Sequence, residues 1–288
     1  MSTRQQASLR EKQRYLKKPG VVVDKSYLHK FSFRDSEVLN GEYLLLMSET
    51  LLYEVTKDEE DRSRLLKNVR EYSANFAYVE HYHTYIEFEK RHIRKSPPPS
   101  HFFRHRDYSG FELMVDNKFE DVEELILGRK RLIERNVESV IGLARTLRKT
   151  YADAFSGRNE VAALKRQKLE EQVASNSEFV RTYLAKNSIV SFGEARDIAT
   201  KIALKATEQW AHYRVAQAVL LLAIDVAYRQ NLKEPIAEVT LENIRHDVLD
   251  SQILILATLV GRIATRDNKI NKWWELLMRK PVDFGRAD

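Results

Sequence analysis

The patterned part of the chain begins with a β-branched run that ends on an acid: Gly20, Val21, Val22, Val23, then Asp24. An unbroken apolar run of this length predicts a strand buried on both faces, as in a parallel sheet. The next apolar run is "EYLLLMSETLLYEV". Tyr43–Met47 is expected as a second buried strand, with Ser48 as N-cap of a helix that carries Glu49 and Glu54. A stretch containing Phe31 and Val38 leaves room for a brief helix between the strands. A strand–helix–strand–helix opening predicts an α/β fold.

From about residue 57 to residue 230 the strand pattern nearly vanishes. Ile133, Val137, Val140, Ala144, Leu147 and Tyr151 recur at spacings of four and three, one face of a long helix. Tyr72, Phe76, Val79, His83 and Ile86 follow the same period and predict an earlier helix. "RKSPPPSHFFRHRDYSG" breaks the helices, and "FSGRNE" ends the long one. Further helices are expected over roughly 159–185 and 191–230, with Ser188–Phe192 the candidate for an additional strand. Near the end, Thr240 is expected to cap a helix running through Val260, and Gly261 to close it. "RIAT" then reads as a short strand leading into Asp267. The pattern divides the chain into a basic segment 1–18, an α/β core over 19–56 and 236–288, and a helical insertion over 57–235.

Composition narrows the class. The chain has 288 residues, 31% of them charged, and a mean hydropathy of −0.49. Its longest apolar stretch, Val215–Tyr228, is interrupted by Gln217 and Asp225 and is too short to span a bilayer. The N-terminus lacks an apolar signal core, so a cytoplasmic protein is expected. The absence of cysteine excludes disulfides, thiolate zinc sites and cysteine nucleophiles. The net charge of +6 permits a polyanionic partner. Seven basic residues lie in 128–150, and Arg131, Arg135, Arg145 and Lys149 form a stripe beside the apolar face of the long helix. That stripe is either a solvated face or a nucleic-acid contact.

Five carboxylates hold candidate chemistry. Asp24 and Asp267 each follow a strand, and loops at the carboxyl ends of parallel strands form the ligand crevice of an open sheet. Glu54 lies on the helix after the second strand, with Glu49 as the alternative there. Asp247 and Asp250, three apart on one helix, share a face. Carboxylates gathered in one cleft stay ionised only with positive charge between them. Without cysteine or a clear histidine pair the donors are hard oxygens, which suit Mg²⁺ or Mn²⁺. His81 and His83, two apart, point apart if helical, and no HExxH motif occurs. Trp210, Trp273 and Trp274 read as packing residues.

"VVVD", "LLLMSETLLYEV" and "DSQILILATLVGRIATRD", in that order, resemble the PIN-domain nuclease family. Asp24, Glu54, Asp250 and Asp267 match that family's acidic positions, Asp247 resembles the extra carboxylate of some relatives, and Thr265 matches its hydroxyl before the last acid. The resemblance covers 19–56 and 236–275. It implies a Rossmann-like parallel sheet between helices and metal-dependent cleavage of phosphodiesters, often in RNA. Asp24, Asp250 and Asp267 would hold the ion, and Glu54 and Asp247 would complete the site. The long, mostly helical span between Glu54 and Asp247 departs from a compact PIN domain. It would dock nucleic acid, form a homo-oligomer or hold a regulatory protein. The other expectation is a helical nucleic-acid-binding or scaffold protein without catalysis.

Overall fold

The computed structural model describes residues 18–30, 42–56, 65, 76–104, 123–156, 159–192, 196–230, 232–282 and 284. The basic N-terminal segment 1–17, and the stretch with Phe31 and Val38, lie outside the described residues.

Five described strands form one mixed sheet: β1 (Gly20–Val23), β2 (Leu44–Ser48), β3 (Phe76–Val79), β4 (Phe103–Arg104) and β5 (Ile263–Ala264). The order is β4-β3-β2-β1-β5. β1 pairs in parallel with both β2 and β5, β2 pairs in parallel with β3, and β4 runs antiparallel at the edge. The carboxyl ends of β1, β2, β3 and β5 therefore share one edge of the sheet.

Short helices α1 (Lys25–His29) and α2 (Glu49–Thr56) follow the first two strands, and α3 (Tyr82–His92) follows β3. The helical region consists of α4 (Glu123–Thr150), α5 (Ala152–Phe155), α6 (Glu160–Ser175), α7 (Ser177–Phe192), α8 (Arg196–Lys205) and α9 (Ala211–Arg229). The chain returns through α10 (Glu238–Val260), β5 and α11 (Asn268–Met278).

Strand alternation sorts the side chains into two cores. Val21, Val23, Leu45 and Met47 pack with Leu28, Leu51, Leu52 and Val55 of α1 and α2. Val22, Leu44, Leu46, Ala77 and Val79 face the opposite way, into a core shared with α3, α4, α9, α10 and α11. The sheet is thus covered on both faces, which is why Val21–Val23 of β1 and Leu44–Met47 of β2 are apolar throughout. Gly20 is required by the second core: a Cβ there would stand 2.4 Å from Leu46 Cδ1 and 2.7 Å from the Phe103 ring. Gly261 caps α10 at φ 86°, a conformation that favours glycine.

Several expectations are corrected. Phe76–Val79 is a strand, not part of a helix, and it lies between β2 and the edge strand β4. Ser188–Phe192 belongs to α7. Two strands of the sheet, β3 and β4, fall inside the span expected to be a helical insertion. Leu44–Ser48 sits one residue later than expected, yet Ser48 still caps, its Oγ accepting from Leu51 N at 3.1 Å. Ala237, not Thr240, is the N-cap of α10, and the extra turn makes Thr240 an interior residue. Two helices, α6 and α7, replace the single one expected over 159–185, and α8 and α9 the one over 191–230. Among the described residues no helix is long and apolar enough to cross a membrane.

Candidate functional site

Asp24 leaves β1 at the shared carboxyl edge. Its backbone N donates to Ala264 O at 3.0 Å, which extends the β1–β5 pairing by one residue. Its side chain caps α1: Oδ2 accepts from Ser26 N at 3.2 Å and from the Ser26 hydroxyl. Thr265, which follows β5, donates from Oγ1 to the same Oδ2 at 2.9 Å. Thr265 Oγ1 in turn accepts from Asp267 N at 3.1 Å, and Ser26 Oγ accepts from Arg266 N at 2.9 Å. Two chain segments some 240 residues apart are stitched together around one carboxylate. Asp24 is 3% exposed. Burial raises its pKa, with the Asp267 carboxylate adding to the rise, and the bonds from Ser26 and Thr265 offset part of it.

Asp267 is the N-cap of α11, its Oδ1 accepting from Ile270 N at 2.8 Å. Asp250 comes from the middle of α10. Its carboxyl is pushed up to about 7 by burial, and the neighbouring Asp24 and Asp267 push the same way, against the pull of Lys269. The influence of Asp24 and Asp267 on Asp250, and of Asp267 on Asp24, places the three acids in one electrostatic neighbourhood.

Lys269, on the first turn of α11, reaches into it. Its Nζ lies 2.7 Å from Asp250 Oδ2 and also contacts Asp247 Oδ1. Burial opposes its charge, but Asp250 and Asp247 more than compensate, and its pKa is raised. Asp247, 6% exposed, is held from its other side by Arg229 Nη2 at 2.6 Å. Arg229 also grips Asp225, its neighbour one turn earlier on α9. Asp225 is therefore an ion-pair residue that helps tie α9 to α10.

Glu54 is buried on α2, at 5% exposure. Glu49, the alternative on that helix, pairs with Arg129 of α4 at 3.2 Å. Thr50 Oγ1 donates to Gln252 Oε1 at 2.9 Å and fixes α2 against α10. Beside these residues His81 caps α3, with Nδ1 accepting from His83 N at 3.3 Å. The cap bends the backbone, so the rings of His81 and His83 stack at 4.9 Å rather than point apart as a regular helix would dictate. Burial and then the Arg129 charge lower both imidazole pKa values.

The basic stripe divides. Arg131, Arg135, Arg145 and Lys149 are all exposed. Arg145 is engaged within the chain, donating to Leu232 O at 3.0 Å and pairing with Glu234. Arg135 lines a cavity in the helical layer.

Sequence reasoning missed Ser26, Lys269 and Arg229. Ser26 had a signal, since Asp-x-Ser after a strand is a turn-forming pattern. Lys269 stands two residues beyond Asp267 in "TRDNK", where a lysine carries no distinctive pattern. Arg229 lies on another helix, and only the tertiary structure brings it to Asp247.

All oxygen donors here are carboxylate or hydroxyl, the set that suits Mg²⁺ or Mn²⁺. The raised Asp250 and the lysine drawn between two acids both express a demand for positive charge. The chemistry fits a hard divalent cation. Among the described residues, however, no group of three or more His, Asp or Glu side chains is already gathered around one point for a metal. Lys269 fills the space between Asp247 and Asp250 instead. No family model matches the chain, and neither a curated protein nor a solved structure matches it.

Proposed function

We propose that this chain is a metal-dependent endonuclease with a PIN-like core, hydrolysing phosphodiester bonds of nucleic acid, RNA in preference to DNA. One observation carries the reading. Asp24 and Asp267 each raise the pKa of the Asp250 carboxyl, and Asp267 that of Asp24, beside the carboxyl ends of β1 and β5. The crevice there is where an open parallel sheet binds its ligand.

Asp24, Asp250 and Asp267 would hold Mg²⁺ or Mn²⁺, with Glu54 and Asp247 completing the site or orienting water. A bound ion of this kind supplies a polarised phosphoryl oxygen and a more acidic water. The protein's own part is positional. Ser26 and Thr265 fix the Asp24 carboxylate in one orientation. The α11 cap fixes Asp267. Lys269 balances the acids and offers an ammonium to an incoming phosphate. The exposed Arg131 and Lys149 of α4 are available to a polyanionic backbone. The helical region would serve for nucleic-acid docking, self-association or a regulatory partner, in a cytoplasmic protein.

The second reading is a nucleic-acid-binding or scaffold protein whose PIN-like core has lost catalysis. Lys269 favours it, because an ammonium already neutralises Asp247 and Asp250. Labelled RNA and DNA, incubated with Mn²⁺ or Mg²⁺ and with chelator, separate the two. Chelator-sensitive cleavage that disappears in Asp24→Asn supports the nuclease. Retained binding with no cleavage under any metal condition selects the second reading.

A further inference from the structure

A cavity of about 260 Å³ lies within the helical layer, bordered by α3, α4, α7, α9 and α10. Much of its lining is aliphatic, including Val219 and Leu222 of α9 and Val248 of α10. Polar groups interrupt that lining: Arg135, Asn136 and Ser139 of α4, His83 of α3, and Ser251 and Gln252 of α10. No acidic residue among those described lines it. Arg135 both lines the cavity and is exposed, so the cavity reaches solvent beside a cation. His83 Nε2 is buried and has no hydrogen-bond partner among the described residues. A buried polar nitrogen in that condition calls for an explanation, and a ligand atom supplies one.

We propose that this cavity binds a small organic carboxylate with a ring-sized apolar body. Size sets the body: an apolar cavity of about 150 Å³ accommodates one benzene, and this one has space for a ring bearing a short chain. Charge sets the head. Arg135 is the only cation lining the cavity among the described residues, and the nearby Arg129 is already paired with Glu49, which matches a monoanion better than a phosphate dianion. His83 is held neutral by burial and by Arg129, so it takes part as a hydrogen-bonding ring rather than as a second charge. Ser139 adds a hydroxyl. The assignment does not depend on the nuclease reading.

Isothermal titration of the full-length protein with 4-phenylbutyrate, 4-phenylbutanol and 4-phenylbutylamine tests the assignment. The acid should bind, the alcohol should bind about tenfold more weakly for want of a charge-assisted bond, and the amine should not bind. Arg135→Gln should weaken the acid by about tenfold and leave the alcohol unchanged. Val219→Phe should abolish binding of both by filling the space, with its circular dichroism compared with wild type. If that variant does not fold, the Arg135→Gln comparison decides alone, because its side chain is at the surface. No binding by any probe, equal binding by all three, or an Arg135→Gln variant that binds the acid as wild type does would each overturn the proposal.

Discussion

Asp24 is at once a helix cap, a strand-end acid and the acceptor of the Thr265 hydroxyl. These roles respond differently to substitution. Asp24→Asn keeps an oxygen for Ser26 and Thr265 but removes a charge that burial and Asp267 both disfavour. Its melting temperature without metal should equal or exceed that of wild type, while Mn²⁺ affinity and any cleavage fall together. Asp24→Ala loses the cap and should cost about 0.5–2 kcal/mol. An Asn variant that melts early and still cleaves would make Asp24 purely structural. Asp250 gives a pH signature. Its folded pKa of about 7 lies above the ordinary 3.8, so the folded state keeps a proton that the unfolded state has released. The associated stability is present below the lower value and is lost as pH rises through the upper one. Urea midpoints of the metal-free protein should carry that falling component across the window, and Asp250→Asn should remove it; an identical slope in the variant would contradict the assignment. Lys269 tests the charge balance. Lys269→Met leaves Asp247 and Asp250 without their shared partner and should destabilise the metal-free protein by about 3 kcal/mol. Mn²⁺ should restore much of the loss and bind the variant more tightly than wild type, as read by calorimetry. Equal Mn²⁺ affinity in both proteins would show that the lysine does not compete for the acids.

At the scale of elements, legibility followed the strength of local pattern. β1 was readable because three valines in a row have few other uses, and the end of α10 because Gly261 at positive φ leaves a sequence mark. β3 was not. Phe76 and Val79, three apart, fit a helical period as well as a four-residue strand, and only the pairing with β2 decides between them. The stacked histidines were misread for the same reason, since His81 lies at a cap where helical geometry has not yet begun. Asp24 and Asp267 stood out in the sequence because each follows a strand, whereas Asp250 lies within α10, and Lys269 and Arg229 acquire meaning only through packing. The stripe on α4 was legible as a stripe but not as a mixture of engaged and available side chains. If α4 tracks a phosphate backbone, neutralising Arg131 and Lys149 together should weaken binding and flatten its salt dependence by about one unit of log–log slope per contact. Neutralising Arg145 should have a smaller effect on the slope, because its charge is already shared with Glu234. An unchanged slope in the double variant would return the stripe to solvent or to a protein interface.

At the scale of the whole molecule, the question is whether the sheet and the helical region act as one unit. Val22, Leu46 and Val79 of the sheet share a core with α4, α9 and α10, so no apolar boundary separates them. A buried carboxylate adds a polar tie. Glu89 on α3 is fully buried and caps α9 from outside: Oε1 accepts from Ala211 N at 2.8 Å, and Oε2 accepts from His212 N at 3.1 Å. His212 Nδ1 lies 2.8 Å from the same Oε2. The negative charge stands at the positive end of the α9 dipole, the favourable sense. α3 follows directly from β3, so the contact joins the sheet to the central helix of the other layer. Glu89→Ala would strand at least two buried backbone donors, each costing about 1–3 kcal/mol. Both layers should feel that loss. Hydrogen exchange should therefore show β1, β2 and α9 losing protection to the same extent in Glu89→Ala, with one cooperative melting transition at lower temperature. Glu89→Gln, which retains the acceptor oxygen but not the charge, should fall between the variant and wild type. Loss of protection confined to α9, with β1 and β2 unchanged, would mean that the helical region opens independently of the acidic edge. In the cooperative case, tightening or loosening α9 changes the stability of the elements that position Asp24, Asp250 and Asp267.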